Sequence, residues 1–282
     1  MKNINSHVYI FDATEHSGVK NTLVRNLRDL ITYRYAIYNF IGSNLRARYR
    51  RSILGFLWTL LNPLISMAIL AIVFSTIFQS SIKNYSVYIF SGLLPWNLIF
   101  NSMTIGSMSI VMGEGYLKKV YIPKFFFPLI SVGVEVVNFL LSMISLFFLA
   151  ILMGAQVSWA LLTLPFALLL TALFIFGLVL LASIITPYFR DLSHIIQLAF
   201  TALFYLTPII YPIEKIADNY WLLTITKLNP FYYLVDLFHV IIYQAKIPDS
   251  SAWLICLGWT VLSLTIGSII FNSKEKDVVY RL

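Results

Sequence analysis

The sequence predicts an all-α integral membrane protein. It has six transmembrane helices, an N-terminal amphipathic helix along the membrane surface, and an outward re-entrant helix pair before the last span. Three observations predict it. Of the 282 residues, 59% are hydrophobic and only 11% charged, against about 25% charged in a soluble domain. The apolar residues come in long runs, each near the ~20 residues a helix needs to cross a bilayer. The positive charges fall mainly in the segments that alternating spans place on one side, the bias of cytoplasmic loops.

Residues 1–22 form a short polar extension without the apolar centre and small-residue cleavage site of a secretory signal, so the first span is expected to act as its own insertion signal. Over 23–51, Leu23, Leu27, Leu30, Ile31, Tyr38, Ile41 and Leu45 recur at helical spacing, with Arg25, Arg28, Arg34, Arg46 and Arg48 largely between them. That is a basic amphipathic helix of the kind that lies on a membrane. The organisation is therefore an extension and interfacial helix over 1–52 and one transmembrane domain over 53–282.

Spans are expected at 53–78, 85–112, 125–153, 160–188, 194–211 and 252–271. A tight turn at Lys83 and Asn84 separates the first two, and residues 154–159 separate the third from the fourth. Residues 212–247 are too polar to cross and too apolar for a solvated loop. They hold Glu214, Lys215, Asp218, Lys227, Asp236 and Lys246 among many aromatics, with Pro208, Pro212 and Pro230 as punctuation. We read two short helices, about 213–226 and 230–244, dipping in from one side and buried against protein.

With both termini inside, residues 1–53, 112–124, 188–193 and 272–282 hold sixteen of the 20 Lys and Arg, leaving Lys83, Lys215, Lys227 and Lys246 outside. The asymmetry favours cytoplasmic termini and an outward-facing re-entrant pair. The net charge of +8 thus reads as topology and gives no reason to expect a nucleic-acid partner. Trp58, Trp96, Trp159, Trp221 and Trp253 fall near expected span ends or interfacial loops, as membrane-interface anchors do. The single cysteine, Cys256, makes neither disulfide nor metal cage and is expected to be a buried small apolar residue. Ser102/Gly106 and Ser263/Gly267 allow close helix approach, within or between subunits.

Chemistry-bearing motifs are sparse. There is no phosphate-cradling G-x-x-x-x-G-K-[ST] stretch and no G-x-S-x-G elbow. The four histidines are scattered without metal-ligand spacing. Glu135 stands out: at ~1.5 Å per residue it lies about 15 Å into the third span, where a carboxylate must face protein or water. It is either a channel or gating residue or a polar clasp, with Asn138 nearby. The cluster Arg46, Arg48, Arg50 and Arg51 orients the chain and meets lipid headgroups. The loop 113–124 carries a short amphipathic turn able to dock into a partner groove, with Tyr116, Leu117, Val120 and Tyr121 as apolar contacts and Lys118 and Lys119 at the rim. Residues 188–191 could add a minor contact. Aromatic faces in a water-filled conduit would suit sugar rings. Trp58, Phe74 and Phe78 in the first span and Phe200, Phe204, Tyr205 and Tyr211 in the fifth could form them, although for any one of them ordinary packing is the commoner role.

The order assembled above resembles the type-2 ABC exporter permeases, particularly those exporting bacterial surface polysaccharides: O-antigen, teichoic acid and capsule. Residues 48–63 (RYRRSILGFLWTLLNP) look like that family's entry to its first span, residues 117–128 like its loop between second and third spans, and TPIIYP (207–212) with LNPFYY (228–233) like its outer re-entrant region. The resemblance covers about residues 27–271. It implies a homodimeric permease forming a continuous conduit, lined by the first and fifth spans, in the bacterial inner membrane. Two separate ATPase subunits would dock below, binding the ATP and Mg; this chain would bind no cofactor and would not itself be an enzyme. Residues 113–121, including Glu114, Tyr116, Leu117, Lys118, Lys119 and Tyr121, would be the coupling helix. Arg46, Arg48, Arg50 and Arg51 would meet the anionic head of a lipid-linked glycan, and arginine's planar fork of donors suits phosphate. The alternative within the same family is export of a small molecule or lipid, as in drug efflux. An ion-coupled transporter would want several intramembrane charges and an internal repeat, neither of which is visible.

Overall fold

A computed structural model describes residues 28–48, 52–78, 82–119, 122–152 and 158–282. All regular structure among them is helical. The chain divides into two compact units, Met1–Arg34 and Tyr35–Leu282. In the first, residues 28–32 are helical and the Arg34 guanidinium donates to the Ile31 carbonyl at 2.9 Å.

The second unit is built from α1 (Arg34–Arg48, from Tyr35 onward), α2 (Trp58–Phe78), α3 (Ile82–Ser107), the one-turn helices α4 (Ser109–Met112) and α5 (Glu114–Leu117), and α6 (Phe126–Leu152). Then follow α7 (Leu164–Ile185), α8 (Leu192–Leu206), α9 (Tyr220–Leu228), α10 (Pro230–Phe238) and α11 (Ser250–Lys274). Among the described residues, three helical stretches are long and apolar enough to cross a membrane: Phe126–Phe148, Trp159–Ile185 and Ser250–Lys274.

Helix α3 is the hub, packing against α2, α6, α7, α8 and α10. Its buried face carries Phe90, Leu94, Trp96, Leu98, Ile99 and Met103. Trp96 is 2% exposed and lies against Phe200, Phe204 and Phe231. It is therefore a core residue and not the interface anchor expected from sequence, because its face of the helix packs against α8 and α10. Trp159 and Trp221, 81% and 74% exposed, sit at helix starts with their rings outward. Cys256 is fully buried, as expected.

Helices α7 and α11 make the closest pairing. A Cβ on Gly267 would lie 2.1 Å from the Gly177 carbonyl oxygen, so only glycine permits this crossing. Ser263 Oγ donates to the Phe174 carbonyl at 2.6 Å across it. Gly106 of α3 instead leaves room for a side chain of α7, since a Cβ there would lie 2.5 Å from Val179 Cγ1. Both small-residue pairs thus act within one subunit. In lipid, close backbone approach of this kind replaces the hydrophobic drive that water would supply.

Several boundaries differ from the sequence expectation. Lys83 and Asn84 lie in the first turn of α3 instead of in a connecting turn. That helix ends at Ser107, and α4 continues the chain to Met112. Helix α8 ends at Leu206, five residues before the expected 211, because Thr207 precedes Pro208 and adopts an extended conformation. The expected helices of the 212–247 region are shorter than forecast. A 3-10 turn (Ile213–Ile216) precedes α9, and a π turn (His239–Tyr243) follows α10. Asn229 caps α10 by accepting from the Phe231 amide at 3.0 Å, with Pro230 in the first turn. Its amide nitrogen donates to Thr207 Oγ1 at 2.9 Å.

The irregular backbone after α8 is satisfied from α3. Tyr85 donates to the Ile210 carbonyl at 2.7 Å and Tyr88 to that of Tyr211 at 2.9 Å. His239 stacks on Tyr88 with centroids 4.3 Å apart. Its Nε2 lies 3.2 Å from the Pro208 carbonyl and its Nδ1 2.8 Å from Ser91 Oγ. A carbonyl only accepts, so Nε2 carries the proton. A Cβ on Gly92 would lie 2.6 Å from this ring; glycine there makes room for it.

Candidate functional site

The candidate surface has two parts, the turn at α5 and a polar cleft between helices. In the turn, α5 follows Gly113 and carries Glu114 and Tyr116. Lys118 pairs with Glu114 one turn earlier. Tyr116 is 52% exposed, and its ring meets Phe40 of α1 edge-on at 5.3 Å. Leu117, Lys118 and Lys119 lie at the end of the turn; Val120 and Tyr121 are outside the described residues. The segment 188–191, expected as a second inner loop, lies against the chain's C-terminal end. Arg281 sits over the Tyr188 ring at 5.8 Å, Val278 is fully buried, and Lys124 donates to the Glu275 carbonyl. Burial lowers the Lys124 pKa from its ordinary value, and Glu275 and Asp277 act against that.

The cleft, about 210 Å³, lies between α2, α3 and α6 with the end of α1 at its edge. Each of the three helices contributes a polar stripe at the spacing that puts side chains on one face. Helix α2 supplies Trp58, Asn62 and Ser66, α3 supplies Asn97 and Asn101, and α6 supplies Glu135, Asn138 and Ser142. Phe90, Leu94 and Phe139 form the apolar wall. Glu135 is 2% exposed, and Arg48 Nη2 donates to its Oε1 at 2.7 Å. Asn138 Nδ2 donates to Oε2 at 3.1 Å. Both carboxylate oxygens are thus engaged, and the guanidinium compensates the buried charge. Ile41 of α1 fits against Gly133 one half-turn away, where a Cβ would come within 2.7 Å.

The other site residues read from sequence scatter. Arg46 sits in the last turn of α1, which buries none of its residues; Arg50 and Arg51 lie outside the described residues. Phe74 and Phe78 belong to α2. Phe200 is 5% exposed and packs edge-on against Phe231, so within this subunit it fills the core beside Trp96 instead of facing an open lining. Phe204 lies between Trp96 and Tyr205. Tyr205 is 67% exposed and accepts at its carbonyl from the Tyr211 hydroxyl at 2.8 Å. The sequence reading passed over Asn62, Ser66, Asn97, Asn101 and Ser142. Their signal was visible as amides and hydroxyls repeating one turn apart inside apolar runs. No single helix says that the three stripes meet.

Residues 35–243 match the family described as "ABC-2 type transporter". The chain is 31% identical over 255 residues to the O-antigen export system permease protein RfbA of Myxococcus xanthus, covering 90% of this chain and 98% of that protein. It is 31% identical over 190 residues to a protein of the same name from Klebsiella pneumoniae, covering 66% and 73% of the two chains. It is 21% identical over 241 residues to the polysialic acid transport protein KpsM of Escherichia coli, covering 83% and 92%.

Proposed function

Since the chain belongs to the ABC-2 type transporter family, we propose that it is the membrane permease subunit of an ATP-driven exporter moving a lipid-linked polysaccharide out of the bacterial cytoplasm. The observation that carries this is the similarity to an O-antigen export permease along 98% of that protein's length. In this reading two copies of the chain work with two separate ATPase subunits, which bind the ATP and Mg. The chain crosses the inner membrane six times with both termini in the cytoplasm, in keeping with its sixteen-to-four charge asymmetry.

The turn at α5 is the docking element for the ATPase in this reading. Exposed Tyr116 is its apolar contact and Lys118 and Lys119 its charged rim. Because Tyr116 abuts Phe40, a displacement of the turn is passed to α1. Helix α1 in turn touches α6 through Ile41 on Gly133 and Arg48 on Glu135. ATPase movement is thereby delivered to the edge of the polar cleft.

The test is genetic and biochemical. The gene for this chain and the gene for its partner ATPase are deleted separately, intact cells are stained for surface polysaccharide, and lipid-linked glycan is extracted. Loss of surface glycan with intracellular accumulation in both strains is expected. Unchanged surface glycan in both would overturn the polysaccharide assignment.

A further inference from the structure

We propose that the cleft between α2, α3 and α6 is a binding site for one uncharged, polyhydroxylated ring of the passing glycan. The inference rests on the export reading above. It identifies where and by what chemistry this chain holds its cargo.

The first support is unused hydrogen-bonding capacity. Asn62, Ser66, Asn97, Asn101 and Ser142 all line the cleft, and Asn62, Ser66 and Asn97 are exposed there. The Asn138 Oδ1 atom is buried without a hydrogen-bond partner. Amides and hydroxyls of this kind do not face lipid. Left unmatched away from water, each costs free energy that a ligand's hydroxyls recover. Amides both donate and accept, as sugar hydroxyls do.

Charge argues for a neutral ligand. Among the described lining residues the charged groups are Arg48 and Glu135, bonded to each other. A phosphate entering here would bring its negative charge beside a carboxylate that is 2% exposed, a repulsion that low dielectric amplifies. A neutral hydroxylated ring meets no such penalty.

Size argues for one ring. The volume of about 210 Å³ is below the ~300–1,000 Å³ of drug-sized pockets. Trp58, half-buried, lines the cleft, and an indole suits the C–H side of such a ring. Depth fits too: Glu135 to Ser142 lie nine to sixteen residues into α6, or ~14–24 Å along its axis. A ring held there is held in transit, away from the membrane surface.

The test uses the full chain with its ATPase in cells making the glycan. A photo-crosslinking residue, p-benzoylphenylalanine, replaces Asn97, or Asn62 as a second position, and Leu254 as an outward control. Leu254 is 66% exposed on α11 and lies outside the cleft. After irradiation the permease is purified under denaturing conditions and stained for carbohydrate by periodate oxidation. Carbohydrate attached through 97 and 62 but not 254 is expected. Asn97→Leu with Asn101→Leu should slow export by about tenfold, the loss of roughly two hydrogen bonds, while Asn97→Gln retains it. Phospholipid captured at 97 and 62, or carbohydrate no greater there than at 254, overturns the proposal. The export reading is scored separately by the deletion phenotype. If deletion strips the surface glycan yet 97 and 62 capture no carbohydrate, the cleft assignment alone fails.

Discussion

Arg48→Gln, Glu135→Gln and the double substitution form a cycle that measures the pair at the edge of the cleft. Two unit charges about 4 Å apart attract by about 4 kcal/mol at an effective dielectric of 20. Removing one partner of a fully buried pair costs about 3–5 kcal/mol, because the other charge stays buried and uncompensated. The two sides here are unequal, since Glu135 is 2% exposed and Arg48 37%. Arg48→Gln strands a buried carboxylate with Asn138 as its remaining donor, so about 2–3 kcal/mol is expected, below the fully buried range. Glu135→Gln leaves a guanidinium that reaches solvent, and about 1 kcal/mol is expected. The double variant replaces both charges with amides and should cost less than the sum, with a coupling of about 1–2 kcal/mol. The assay is thermal unfolding of the purified protein in nanodiscs, followed by tryptophan fluorescence. If the two single effects add in the double variant, or if Arg48→Gln costs no more than Glu135→Gln, the pair is not the charge compensation described here.

Three other outcomes are expected. Gly267→Ala places a methyl group 2.1 Å from the Gly177 carbonyl, so α7 and α11 must part and the Ser263 bond must lengthen. A loss of about 2–4 kcal/mol in the same unfolding assay is expected, and a wild-type midpoint would contradict the crossing. Lys118→Glu with Lys119→Glu reverses the rim of the α5 turn and should reduce ATPase co-purification; unchanged recovery would remove the docking role. The purified permease without its ATPase should hydrolyse ATP at background rates, and robust turnover would sink the two-component reading.

What the sequence determined by itself was set by solvent. Runs of apolar residues have one stable environment, and in lipid a backbone must satisfy its own hydrogen bonds within helices. The apolar helices, the buried Cys256, the interrupted region near Pro208, Pro212 and Pro230, and the exceptional standing of Glu135 with Asn138 beside it were therefore legible. So was the family resemblance, because its motifs are local. Only the tertiary structure decided which helices meet. Trp96 reads as an interface residue in sequence and is core because its face of α3 packs against α8 and α10. Arg48 reads as a headgroup ligand, yet it reaches a carboxylate 87 positions away. Asn62, Asn97 and Asn101 are unremarkable one by one, and they become a polar cleft when three helices turn the same face inward. Spacing along a helix is a local property. The partner across the gap is chosen by close packing at a few glycines, which no single segment encodes.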